Sequence, residues 1–216
     1  MDLLAISKDF PFVEWGILLS SGEEPRPRYP SIEWIASIEP LSRQGTRFSG
    51  HICGEWARKV CRGWFPAQID HRTFQRIQLN VAHFLEEEVI DPAAMASCLP
   101  KNREYIVQVG AALQEGVALA RSLQLYDRTI SILFDASGGH GVTPAKWPEL
   151  AFGMKCGFAG GLGPDDLEQA LRSLSSSVGD AHVWIDMESR VRSEDGERFD
   201  INKARTCLEI AGRYAI

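Results

Sequence analysis

No run of apolar residues in this chain comes near the ~20 needed to cross a bilayer as a helix, so no membrane partner is expected. The amino terminus, Met1-Asp2-Leu3-Leu4, lacks the basic start and long apolar stretch of a secretory signal, which makes the cytoplasm the expected location. A basic excess is missing too. The formal net charge is −6 and the isoelectric point about 5.4, the reverse of the basic face that a nucleic-acid partner calls for. The five cysteines, Cys53, Cys61, Cys98, Cys156 and Cys207, are odd in number and contain no C-x-x-C pair, which suggests neither a zinc cluster nor a disulfide framework. They read as small apolar core residues. Linkers and low-complexity stretches are also lacking, so the 216 residues are expected to form one large domain.

What the chain does have is alternation. Short apolar runs occupy Val13–Leu19, Phe48–Cys53, Arg76–Val81, Tyr105–Val109, Ile130–Asp135, Gly157–Ala159 and Val183–Met187. Most are continuous rather than alternating, as expected of parallel strands buried on both faces. Strand starts recur roughly every 25–35 residues, the length of one βα unit. Segments with helical spacing lie between them. Ser31 is placed to cap a helix beginning at Ile32; Pro164-Asp165-Asp166 puts acidic residues in front of Leu167–Leu174; Ile201–Tyr214 carries Ile201, Ala204, Leu208 and Ala211 on one stripe. Asp2–Ser7 looks helical. The pattern predicts a doubly wound sheet or a closed barrel, with seven strands visible where a (β/α)8 barrel has eight.

Four segments carry a resemblance. Pro27-Arg28-Tyr29-Pro30-Ser31 follows the first apolar run; Leu133-Phe134-Asp135-Ala136-Ser137-Gly138-Gly139-His140-Gly141 ends the fifth in an aspartate and a glycine-rich turn. Phe158-Ala159-Gly160-Gly161-Leu162-Gly163-Pro164 ends the sixth, and Val183-Trp184-Ile185-Asp186-Met187-Glu188-Ser189-Arg190-Val191 holds the seventh. In this order they resemble the phosphoribosylanthranilate isomerase family of tryptophan biosynthesis. The resemblance implies a (β/α)8 TIM-type barrel lacking, or truncated at, its first strand, with the site at the C-terminal ends of the strands. Val13–Leu19 would then match the family's second strand.

The resemblance implies acid–base isomerisation of an aldose-type amino sugar phosphate to a ketose, with no cofactor; His51, His83, Asp135 and Glu188, all at or near strand ends, show no recognised metal-ligand spacing, so no metal is expected. Asp135 stands where the family's general acid is; its other reading is an Asx-type turn residue. The family's base is a cysteine in Lys-x-Cys-Gly on the strand that has no counterpart here. His51-Ile52-Cys53-Gly54 looks like that motif but follows Arg28 instead of preceding it, so Cys53 is a substitute base or a core thiol. Arg28 matches the clamp for a substrate carboxylate, or is a solvated loop residue. Gly160, Gly161 and Gly163 match an anion cradle in front of a helix, or a tight turn needing positive φ. Ser189 is the remnant of the family's second phosphate loop. Glu188 replaces a phosphate-binding serine and would repel a phosphate while accepting a hydroxyl or amine; Arg190 would attract one. His51, Gln78, Asn80 and His140, at or near strand ends, are counted as substrate-binding lining. His83 also falls near a strand end, without a recognised metal-ligand spacing. The expected partner is a small anionic molecule. The alternative is a non-catalytic barrel that binds a ligand, or whose unfilled first-strand slot is covered by a partner chain or a second copy in a homodimer.

Overall fold

The computed structural model describes residues 3–20, 28–69, 73–135 and 143–215. Helices and strands alternate from end to end: α1 (Leu3–Asp9), β1 (Trp15–Leu19), α2 (Ile32–Ser37), α3 (Glu39–Arg43), β2 (Phe48–Ile52), α4 (Gly54–Cys61), β3 (Arg76–Leu79), α5 (Ala82–Glu87), α6 (Pro92–Cys98) and β4 (Glu104–Val109). There follow α7 (Leu113–Leu125), β5 (Thr129–Asp135), β6 (Lys155–Ala159), α8 (Leu167–Val178), β7 (Val183–Asp186), a 3₁₀ turn at Ser189–Val191, and α9 (Ile201–Ala211). The strands form a seven-stranded sheet in chain order, and every pairing described is parallel. All seven expected strands form, with ends shifted by at most two residues. The helix at the amino terminus forms as well.

The chain packs as two compact units, Glu14–Ile132 and Met1–Val13 with Leu133–Ile216. The boundary falls inside β5, not in a linker, which is why composition gives no sign of it.

In the unit Glu14–Ile132 the registers of β1 to β4 line up residues in rows. Phe48, Gly50 and Ile52 stand on one face of β2, in rows with Trp15, Ile17 and Leu19 of β1 and with Ile77 and Leu79 of β3. Tyr105 and Val107 of β4 extend these rows. Phe48, Ile52, Ile77, Leu79, Tyr105 and Val107 are fully buried, each stabilising the fold by ~1.5–3 kcal/mol relative to exposure. The opposite face mixes polar residues with Leu18 and the buried Ile106. Ser49, Arg76 and Glu104 form one row, and His51 and Gln78 the next. Arg76 Nε donates to Glu14 Oε1 at 2.9 Å and a guanidinium nitrogen lies 3.6 Å from Glu104, whose carboxylate accepts from Ser131. Burial on both faces thus conceals an alternation, and this face is kept by pairing its charges.

In the other unit, β6 and β7 pair in register, Gly157 opposite Trp184 and Ala159 opposite Asp186. Phe158 is fully buried against Phe134 (centroids 5.4 Å apart) and Trp147 (5.8 Å, edge-on), an apolar seat beneath the ends of β5 and β6. Asp200 caps α9, its Oδ1 accepting from the N–H groups of Asn202 and Lys203 at 3.0 and 3.1 Å. Helix α1 belongs here too: Ile6 is wholly buried, Asp9 pairs with Arg205 at 3.1 Å, and the Arg205 guanidinium lies over the Phe10 ring.

Candidate functional site

The ends of β5, β6 and β7 open into one small cleft, about 40 Å³, lined by Asp135, Ala159–Leu162 and Asp186–Arg190. Asp135 is the last residue of β5 and only 6% exposed. Phe134 beside it points to the opposite face and is buried against Phe158, which fixes the strand end that presents the carboxyl. Gly160 and Gly161 follow β6 with φ of 125° and 62°, a backbone that side-chain-bearing residues adopt only under strain.

Five residues expected in the site, Asp135, Gly160, Gly161, Glu188 and Ser189, therefore line one cleft. Arg190 lines it as well, but engaged. Its Nη1 donates to the Gly161 carbonyl at 3.1 Å and to Asp166 Oδ2 at 2.5 Å, and its Nη2 to Asp165 Oδ2 at 3.0 Å. These bonds, that to Asp166 foremost, raise its pKa further. Gly163 is not part of the cleft, and its φ is not positive. A side chain there would collide with Arg190, with Cβ 2.6 Å from Arg190 Cβ and 2.8 Å from Nε. Its small size makes room for the arginine stem. His140 lies outside the described residues.

Asp186 is the residue the sequence reading passed over. It ends β7 directly opposite Ala159, next to the glycine turn. Its signal was an acid at the end of an apolar run, the same pattern that marks Asp135 on β5.

The remaining candidates gather in the unit Glu14–Ile132, at the ends of β2 and β3. Gln78, 2% exposed, donates through Nε2 to Asn80 Oδ1 at 2.9 Å; Asn80 Nδ2 donates to Cys53 Sγ at 3.1 Å; the Cys53 thiol donates to the His51 carbonyl at 3.3 Å. The His51 ring is packed against Gly16 of β1, where a Cβ would come within 2.7 Å of it. Cys53 is 7% exposed, and burial pushes its thiol up to about 12; the Asn80 hydrogen bond and then the charge of Arg28 work weakly the other way. At neutral pH it is a thiol. A proton acceptor must be deprotonated to work, and burial disfavours that form of Cys53. Arg28 is exposed. His83 sits on α5, not at a strand end, with Nε2 2.9 Å from Glu87. No group of three or more potential metal ligands converges among the described residues, and no described helix is long and apolar enough to cross a membrane.

No family model matches the chain and no curated protein does. Solved structures do. TrpF of Jonesia denitrificans superposes with a TM-score of 0.57 at 14% identity, over 97% of this chain and 90% of that one. Phosphoribosyl anthranilate isomerase of Thermotoga maritima gives 0.53 at 14%, over 93% and 88%. Phospho-2-dehydro-3-deoxyheptonate aldolase (DAHP synthase) of the same organism gives 0.60 at 13%, over 98% of this chain and 64% of that one. The chain has the TIM-type fold of the phosphoribosylanthranilate isomerase structures. The named chemistries differ, an isomerase and an aldolase, so the likeness is one of fold, and function has to be argued from the site.

Proposed function

We propose that this protein is an isomerase acting on a small sugar-derived substrate by acid–base proton transfer, of the aldose–ketose kind, at the cleft formed by the ends of β5, β6 and β7. The observation that carries the reading is the meeting of a buried strand-end carboxyl, Asp135, with two further carboxylates, Asp186 and Glu188, around the Gly160–Gly161 turn. The fold likeness to two phosphoribosylanthranilate isomerase structures supports it as analogy.

The chemistry asks for one donor and one acceptor. A protonated carboxyl delivers its proton to the ring oxygen of a glycosylamine, and the ring opens to an iminium. A carboxylate removes the C2 proton to give an enolamine, which tautomerises to the ketone. The proton taken from C2 balances the one delivered, so no redox partner is needed. Asp135 takes the donor's part. With the Cys53 thiol protonated, the acceptor is one of the other two carboxylates, and backbone N–H groups of the glycine turn hold a substrate oxygen.

The test follows the loss of fluorescence of N-ribosylanthranilate and of its 5-phosphate, side by side, with the purified protein and its Asp135→Asn variant. Turnover of either compound, lowered by a factor of ~10²–10⁴ in the variant, is the expected result for a lost proton donor. A folded protein that turns over neither would overturn the reading and leave a ligand-binding barrel.

A further inference from the structure

Arg190 is held at both ends. The 3₁₀ turn that carries it is pinned to the start of α9. Val191 is 5% exposed, its carbonyl accepts from the Asp200 N–H at 2.9 Å, and Lys203 Nζ donates to the Arg192 carbonyl at 2.8 Å. Asp200 is itself the cap of α9, so the backbone of Arg190 rests on a helix end. From this base the stem passes Gly163, where a Cβ would come within 2.6 Å of Arg190 Cβ. At the far end Nη1 donates to the Gly161 carbonyl and to Asp166, and Nη2 donates to Asp165. Three of the five guanidinium hydrogens are engaged in this way, one of them on the glycine turn itself.

Gly160 and Gly161 both have positive φ, a region that glycine enters and leaves at little cost. The turn's own residues therefore do not fix its shape. A trans peptide keeps its C=O and N–H in one plane and pointing opposite ways, so a bond on the Gly161 carbonyl also sets the direction of the Leu162 N–H. We propose that Arg190 is the positioning residue of the cleft: it carries the fixed geometry of the α9 start across to the Gly161 carbonyl and so holds the Gly160–Gly161 turn in place. Asp165 and Asp166 keep the guanidinium in line. The planar fork suits arginine, since it reaches acceptors in several directions at once where an ammonium is a single point. The side chains of Asp165 and Asp166 are 83% and 40% exposed, so either ion pair alone adds little to the stability of the fold. What the cluster supplies is local geometry. This rests on the cleft being the ligand site and deepens that reading.

The experiment is amide hydrogen exchange of the full chain, read by mass spectrometry. The peptide spanning residues 157–166 is followed beside one spanning 201–211 in α9. Arg190→Met keeps the stem and loses the donors. It is expected to speed exchange in the first peptide by about tenfold or more, as the loss of one hydrogen bond to a charged group allows, and to leave the second unchanged. A residue that only stabilised the fold would raise both together through global opening. Asp165→Ala/Asp166→Ala is expected to speed the first peptide severalfold. Asp166 makes no side-chain cap bond to α8, so the helix loses none by this change, and the double variant decides the matter should Arg190→Met fail to fold. Exchange unchanged in the first peptide, or raised equally in both, overturns the inference. On a ribosylamine that the unaltered chain turns over, Arg190→Met should lower kcat by ~10–10²-fold, the cost of a misplaced group, with KM little changed. A rise in KM alone would show an arginine that binds substrate directly, and would overturn the inference too. A chain silent towards both ribosylamines sinks the isomerase reading and leaves the exchange result standing. Unchanged exchange in an active enzyme does the reverse.

Discussion

Gly157→Ala is the sharpest test of how the cleft is held. Gly157 stands opposite Trp184 in the β6–β7 ladder, and the indole lies across it. A Cβ on residue 157 would fall 2.1 Å from Trp184 Cε2, 2.4 Å from Nε1 and 2.5 Å from Cζ2. Carbon atoms in contact settle at about 3.5–4.0 Å, so the ring must withdraw by more than ~1 Å or the strands must part. Overpacking of this kind costs ~1–3 kcal/mol, and a rigid ring gives way less readily than a flexible chain. Two effects reduce the sum. Trp184 is only half-buried, and alanine lowers the entropy of the unfolded chain by ~0.4–1 kcal/mol relative to glycine. A net loss of about 2 kcal/mol remains, or a Tm lowered by ~4–8 °C for a chain of this size. Urea unfolding followed by circular dichroism measures it. In a Trp184→Leu background the same substitution is expected to be nearly neutral, giving a coupling of about 2 kcal/mol in the double-mutant cycle. Additive effects, or a Gly157→Ala protein within ~0.5 kcal/mol of the parent, would refute the argument. The same strands carry Gly160–Gly161 and Asp186, so a confirmed clash should also weaken ligand binding.

Two further outcomes follow from buried polar groups. Burial raises Cys53 to about 12, and burial together with the charge of Glu88 raises Cys61 to about 12, from an ordinary 9.0. Above pH 9 the unfolded chain loses thiol protons that the folded chain keeps, so stability is full below that value and falls as pH rises towards 12. Cys53→Ala should remove up to ~1.4 kcal/mol per pH unit of that slope in urea unfolding series, and an unchanged slope would count against the buried thiol. Arg76→Met strands Glu14 and Glu104 without their shared cation and should cost about 3 kcal/mol, read as a Tm lowered by ~6–12 °C; a neutral substitution would show that the row is hydrated instead of paired.

The order and type of the elements were legible because the strands are short, mostly apolar runs recurring at the spacing of βα units, and a parallel sheet buries both faces. The polar row Ser49–Arg76–Glu104 was not legible as a row, since register across strands decides which residues meet. Half of the site was legible for a local reason. Asp135 and Gly160–Gly161 owe their positions to strand ends and backbone φ, which neighbouring residues dictate. The contact between Arg190 and Gly163 was not legible, for the opposite reason. Their roles come from a contact across 27 positions of sequence, and a free arginine looks identical in sequence to one tied to Asp165 and Asp166. Cys53 was drawn in by its resemblance to a motif. Its burial and its bond to Asn80 come from the packing of β2 and β3, which no motif encodes.

Of the two carboxylates left to accept a proton, the backbone distinguishes one. Asp186 is the last residue of β7, held by the ladder opposite Ala159. Glu188 has left the strand, with φ −132° and ψ −70°, and leads into the 3₁₀ turn at Ser189–Val191. Its side chain is also longer by one rotatable bond. Proton abstraction from carbon demands a base held within a few tenths of an ångström of its line of attack, and misplacement by about 1 Å costs ~10²-fold. A hydrogen bond to a hydroxyl or amine tolerates more play. Asp186 is therefore the expected base and Glu188 the residue that orients the substrate. On whichever ribosylamine is turned over, Asp186→Asn should lower kcat by ~10²–10⁴ with KM little changed. Glu188→Gln should raise KM with kcat within about tenfold, since it removes binding shared by ground and transition states. The reverse pattern, with kcat lost in Glu188→Gln and kept in Asp186→Asn, would show that the mobile carboxylate does the chemistry and that strand anchoring is not what selects the base.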